Sequence, residues 1–126
     1  MLIDSNIIIY SAQPENEFLR RLIAGRAPAV SAVSYVEVLG YHRLSEPERR
    51  YFEAFFAEAR ILPLAHPVLD EAVRLRQAKK IKLGDSLVAG TALLHDLTLV
   101  TRNVDDFMGI EGLRVLNPFV ELSPQP

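Results

Sequence analysis

The chain has 126 residues, 49% hydrophobic and 24% charged, with no cysteine and a formal net charge of −2. These values exclude a disordered polymer, a disulfide scaffold and a thiolate metal site, and the length fits one domain that buries roughly two thirds of the surface its unfolded chain exposes. No apolar run is long enough to span a bilayer, no secretory signal precedes Leu2-Ile3-Asp4, and a reducing, cytoplasmic setting is the expectation.

Leu2-Ile3 is apolar on both faces, as at the start of a buried parallel strand. Phe18, Leu19, Leu22 and Ile23 recur at helical spacing over residues 15–24, with Arg20 and Arg21 outward and Gly25 as the stop. Residues 29–33 read as a second strand and 35–43 as a helix. Ser45-Glu46-Pro47-Glu48 has the chemistry of a helix start: a Ser cap, Pro in the first turn and acids near the positive dipole end. The helix it opens carries Phe52, Phe55 and Phe56 inward. Residues 61–64 read as a third strand, and 67–79 as a helix with Leu69, Val73 and Leu75 among its apolar positions. An Ala- and Leu-rich helix over 84–95 leads to a fourth strand at 97–100. A fifth, 114–116, ends at Asn117-Pro118, and the tail from 119 to 126 is expected to fray. Strands alternating with helices predict an α/β fold, a central parallel sheet of four to five strands flanked by helices. With no internal repeat, low-complexity segment or linker, residues 1–126 read as one domain.

In open α/β sheets, sites form at the carboxyl ends of strands. Asp4 follows the first strand; Asn103, Asp105 and Asp106 follow the fourth. Glu37 falls in the first turn of the helix after the second strand, and Asp85 opens the helix before the fourth. Each has an ordinary structural explanation. Asp4 fits a turn, although its apolar flanks make a buried carboxylate that needs a partner or a metal. Ser34-Tyr35-Val36-Glu37 fits a capping box with Val33 and Val38 as its staple. Asp85 fits an N-cap, and Asn103 with the Asp pair fits a turn before Phe107. It is the conjunction that points to chemistry. Carboxylates within a few ångströms repel one another and call for protons or a cation; oxygen-only donors suit Mg²⁺ or Mn²⁺, which promote phosphodiester hydrolysis.

Four segments, Leu2-Ile3-Asp4-Ser5-Asn6, Ser34-Tyr35-Val36-Glu37, Leu83-Gly84-Asp85-Ser86-Leu87-Val88-Ala89 and Leu99 through Phe107, together resemble the PIN-domain ribonucleases, and more closely the VapC-type toxins of toxin–antitoxin pairs. The resemblance runs from Met1 to about Pro118. It implies a PIN-like fold and a Mg²⁺-dependent endoribonuclease, with Asp4 and Asp85 as the main metal ligands. Glu37 matches the second acid, assigned to water activation or a second metal. Asn103 falls where many members carry Asp, so the fourth carboxylate is expected from Asp106 or Asp105. Asn6 and Thr101 match polar positions lining the site. The resemblance further implies an RNA substrate, a cognate antitoxin and a homodimer.

The residues add a path for RNA independently. Lys79, Lys80 and Lys82 precede Asp85, and Arg102 adjoins Asn103, so these cations fit a track for a phosphate backbone. A solvated helix end with Lys near its negative dipole explains the lysines equally well. His42, His66 and His95 share no metal-ligand spacing. Tyr51, Phe52, Phe55 and Phe56 cannot all point inward, leaving aromatic surface for a partner. A PIN-like RNA- or protein-binding module without catalysis is the alternative, motivated by the amide at Asn103. A phosphatase or receiver reading lacks its further acids.

Overall fold

The computed structural model describes residues 1–122; the last four residues of the tail expected to fray lie outside the described residues. Five strands, β1 (Leu2–Ile3), β2 (Ala29–Ser31), β3 (Arg60–Leu62), β4 (Leu99–Val100) and β5 (Val115–Leu116), form one parallel sheet in the order β3-β2-β1-β4-β5. The chain steps outward from β1 to β3, then crosses back to lay β4 on the other side of β1. The β1–β4 seam is therefore the topological switch point, where the carboxyl ends of adjacent strands open a crevice.

The short strands alternate faces. Leu2, Ala29 and Leu99 pack with Val88, Ala89 and Ala92 on one side. Ile3, Val30 and Val100 pack with Ile7, Leu19, Val38 and Phe52 on the other. Helices α5 (His66–Ala78) and α6 (Leu83–Leu94) cover the first face, and α1 (Ser5–Ser11), α2 (Glu17–Arg26), α3 (Ala32–Leu39) and α4 (Glu46–Glu58) the second. Gly90 allows the close approach of α5 and α6: a Cβ there would stand 3.1 Å from the Val68 carbonyl oxygen.

Several boundaries differ from the sequence expectations. Helix α1 was not foreseen, because Ile7-Ile8-Ile9 reads as a β-branched run; Asp4 caps it, and Ile7 and Ile8 are buried while Ile9 is exposed. Gly25 does not stop α2, which continues to Arg26 and ends on Ala27 in a left-handed conformation (φ 44°). Arg20 does not simply face solvent: its guanidinium donates to the carbonyls of Ser11, Gln13 and Pro14. Helix α3 starts one turn early because the Ser31 hydroxyl accepts from Val33 N–H at 3.1 Å. The proposed box on Ser34 therefore does not form, and Glu37 lies in the second turn. The Ser45–Glu48 capping box is present. On α5 the buried stripe is Val68, Ala72 and Leu75, leaving Leu69 and Val73 exposed. Within the tail expected to fray, residues 119–121 lie in a helix: Asn117 caps α7 (Pro118–Glu121), and Phe119 packs edge-on against Tyr10 and Phe18. No helix among the described residues is long and apolar enough to cross a membrane.

Candidate active site

Asp4 leaves β1 at the switch point as the N-cap of α1 and is only 6% exposed. Its Oδ1 accepts from Ser5 N–H at 2.8 Å. Its Oδ2 accepts from the Thr101 hydroxyl at 2.9 Å and from Asn6 Nδ2 at 3.3 Å. Thr101, fully buried just past β4, is the hub of this group. While donating to Asp4, its hydroxyl oxygen accepts from Asn6 Nδ2 at 3.2 Å and from Asn103 N–H at 3.1 Å. Asn6 Oδ1 in turn accepts from Arg102 N–H at 3.3 Å. The two central strands are thus stitched together beyond their last ladder bonds, and Asp4 has one position.

Glu37 reaches the same crevice from α3. The Ser5 hydroxyl donates to Glu37 Oε1 at 2.6 Å, and its oxygen also lies 2.9 Å from that of buried Ser34. Glu37 Oε2 rests against Gly84 in the first turn of α6, where an added Cβ would stand 3.0 Å from it. Asp85 is not the N-cap of α6, a place taken by Lys82 without a side-chain bond; it is the third residue of the helix. Asp106 sits in a 3-10 turn (Val104–Phe107) after β4.

Electrostatics link the acids. Burial pushes the Asp4 carboxyl up to about 6, against the bonds from Thr101 and Ser5, and the charges of Asp85 and Glu37 push it further the same way. Asp85 is also held above the ordinary carboxylate range, first by burial, then by the charge of Asp106, with Lys82 opposing and Glu37 adding to the rise. Asp4, Glu37, Asp85 and Asp106 therefore feel one another, as carboxylates crowded around a partly desolvated point must. Among the described residues no three acids or histidines are spaced as a ready cage for an ion.

Of the residues singled out in the sequence, Asn103 is tied to the site by its backbone N–H to Thr101, while Asp106 is the acid after β4 whose charge acts on Asp85. Arg102 is exposed, with its guanidinium carbon 4.0 Å from the Phe119 ring centre and 4.8 Å from that of Tyr10. Lys82 is exposed beside Asp85. Sequence reasoning missed Ser5 as the holder of Glu37, with Ser34 behind it bonded to Ser5 rather than to Glu37, and Gly84 as the surface that Glu37 rests on. Their only sequence signal was their place next to Asp4, Glu37 and Asp85. Of the aromatic group, Phe52 and Phe56 are buried, and Tyr51 and Phe55 line an apolar groove of about 500 Å³ together with Ile23, Ala27 and Pro28.

The chain matches the PIN domain family over residues 1–111. It is 31% identical over 122 residues to Ribonuclease VapC10 of Mycobacterium tuberculosis, covering 90% of each protein. Among solved structures it is similar to a toxin–antitoxin complex from Klebsiella pneumoniae, with a TM-score of 0.74, 30% identity, and 93% of this chain and 96% of that one covered. It also shares its fold with VapBC2 from Rickettsia felis bound to a DNA fragment from their promoter, with a TM-score of 0.80 at 20% identity, covering 92% and 96% of the two chains.

Proposed function

The chain belongs to the PIN domain family, and from that membership we propose that it is the endoribonuclease toxin of a toxin–antitoxin pair, hydrolysing RNA phosphodiester bonds at the acidic crevice around Asp4. The relatives support the activity and the antitoxin partner. The observation in this chain that carries the chemistry is the buried Asp4, raised to about 6 by desolvation and by neighbouring acids, yet locked in place by Thr101 and Ser5. A carboxylate so placed is suited to hold a cation.

The donor set fits Mg²⁺ or Mn²⁺, being hard oxygens in a chain without cysteine. Mg²⁺ is commonly held by one or two carboxylates and keeps several waters. Asp4 and Asp85 would hold it, with Asp106 beside them. When bound, it supplies charge stabilisation at a phosphoryl oxygen and a water of lowered pKa. The chain's own residues do the rest. Thr101 and Asn6 fix the orientation of Asp4 Oδ2. Ser5 occupies Glu37 Oε1, leaving Oε2 to accept the proton of the attacking water as its oxygen bonds to phosphorus and the bond to the leaving ribose oxygen breaks.

Cleavage of total RNA by the purified chain is expected with Mg²⁺, to be lost with chelator and regained with excess Mg²⁺. No cleavage under any of these conditions would overturn the hydrolase reading in favour of a binding module. A cytoplasmic location and assembly as a homodimer go with this reading. The apolar groove beside Tyr51 and Phe55 supports a protein partner.

The contact at Gly84 yields a second expected result. In Gly84→Ala the new methyl crowds only the end of the Glu37 side chain, which can swing aside, and meets Val33 at an ordinary contact distance of 3.9 Å. The helix gains up to about 1 kcal/mol in propensity, so thermal stability should hold or rise. Cleavage should fall about tenfold as Glu37 is displaced, within the range a general base supplies. Unaltered cleavage in a variant of equal stability would remove Glu37 from the mechanism drawn here.

A further inference from the structure

The acidic crevice is bordered by an equally concentrated patch of cations. Arg76, Lys79, Lys80 and Lys82 come from the end of α5 and the loop into α6, and they share a cleft of about 480 Å³ with Asp85, Asp105 and Asp106. The loop is held in place: Ile81 is buried between Lys80 and Lys82, and Lys79 Nζ donates to the Met108 carbonyl at 2.6 Å. Arg21, Arg49, Arg74 and Arg114 are paired with acids, while Arg26, Arg43, Arg50 and Arg60 stand apart from this cleft; what marks the cleft is four cations gathered beside the acidic edge. Among the described residues Arg76, Lys80 and Lys82 make no ion pair, although three carboxylates share their cleft.

A chain of net charge −2 whose reactive edge is a cluster of acids repels a polyanion unless cations stand beside that edge. We propose that this cleft is a phosphate subsite for single-stranded RNA, taking a backbone phosphate next to the scissile one, with Arg76 and Lys80 as its main ligands. The inference rests on the hydrolase reading above and extends it to the track of the substrate. Arg76 offers a planar fork that matches two phosphate oxygens; Lys80 and Lys82 offer mobile point charges. Such contacts set the register of the strand without reading its bases.

The test is binding of a short fluorescein-labelled oligouridine to the metal-free protein in chelator, measured across a salt series. Each phosphate neutralised contributes about −0.7 to the slope of log affinity against log salt for a single strand. An Arg76→Ala/Lys80→Ala variant is expected to lose about 1 from the magnitude of that slope and to bind about tenfold more weakly or worse. Both side chains are exposed, so the fold is not at stake. Arg74→Ala, which removes a paired cation from the same helix, should match the wild type. A lowered slope supports the subsite even if the wild type cuts no RNA, in which case the hydrolase reading alone fails. An unchanged slope overturns the subsite, and the hydrolase reading then stands or falls on the separate cleavage assay with Mg²⁺. Oligouridine binding by the wild type without salt dependence overturns the subsite as well.

Discussion

An Asp4→Asn protein is expected to lose RNA cleavage by about 10³-fold or more, equivalent to about 4 kcal/mol of transition-state stabilisation, and at the same time to melt higher than the wild type when both are metal-free. Both effects come from one carboxylate. Its pKa is raised from an ordinary 3.8 to about 6, so at neutral pH the folded protein carries a charge it disfavours by about 3 kcal/mol. The sign follows directly. Stability from this group is fully present below 3.8 and is lost as pH rises through about 6, so the metal-free wild type should be more stable near pH 4 than near pH 7 as far as Asp4 decides. Asn removes the charge, but it has one acceptor oxygen where Asp4 uses two, for Ser5 N–H and for Thr101 and Asn6. An unsatisfied hydroxyl returns about 1 kcal/mol or more, leaving a gain of about 1–2 kcal/mol, or roughly 3–8 °C in Tm. Differential scanning fluorimetry in chelator at several pH values, beside the cleavage assay, reads both effects. Full activity, or a lower Tm at pH 7, would contradict the account.

Thr101→Val should be the most damaging change that keeps both shape and charge. The hydroxyl serves three partners, and Val fills the same volume without it. Asn103 N–H and Asn6 Nδ2 lose an acceptor and Asp4 Oδ2 a donor. Asp4 Oδ2 and Asn6 Nδ2 keep only their 3.3 Å bond to each other, and the lost bonds cost about 1–3 kcal/mol. The loss of its donor also pushes Asp4 further toward its neutral form, so more Mg²⁺ is needed for half-maximal cleavage. A drop in cleavage of about 100-fold is expected, reduced at saturating Mg²⁺ and rescued by Thr101→Ser, which restores the hydroxyl. Failure of Ser to rescue would mean that the methyl group, and not the hydroxyl, is what the site needs.

The sheet and its acids could be read from the sequence because they depend on local pattern. Paired apolar residues mark the strands, and an acid directly after a strand projects at the carboxyl edge whatever the exact helix bounds. Helix α1 could not be read, since Ile7 and Ile8 face the core and Ile9 does not, a split that only packing decides. The cap of α3 was placed one turn late because Ser31 and Ser34 are both good caps; tertiary structure uses Ser31 for the helix and Ser34 for Ser5. That contact and the Ser5–Glu37 bond span 29 and 32 residues, and no local rule connects positions so far apart.

β1 and β4 are each two residues long. Leu2 belongs to one core and Ile3 to the other, and the next residue is Asp4, the carboxylate proposed to hold the cation. A single peptide bond separates interior from chemistry, and the strand has no spare length to absorb a slip. Deleting one residue here would exchange the two cores and turn the acid into the sheet. A saturation scan of residues 2–4 should therefore show no border between positions that govern solubility and positions that govern turnover.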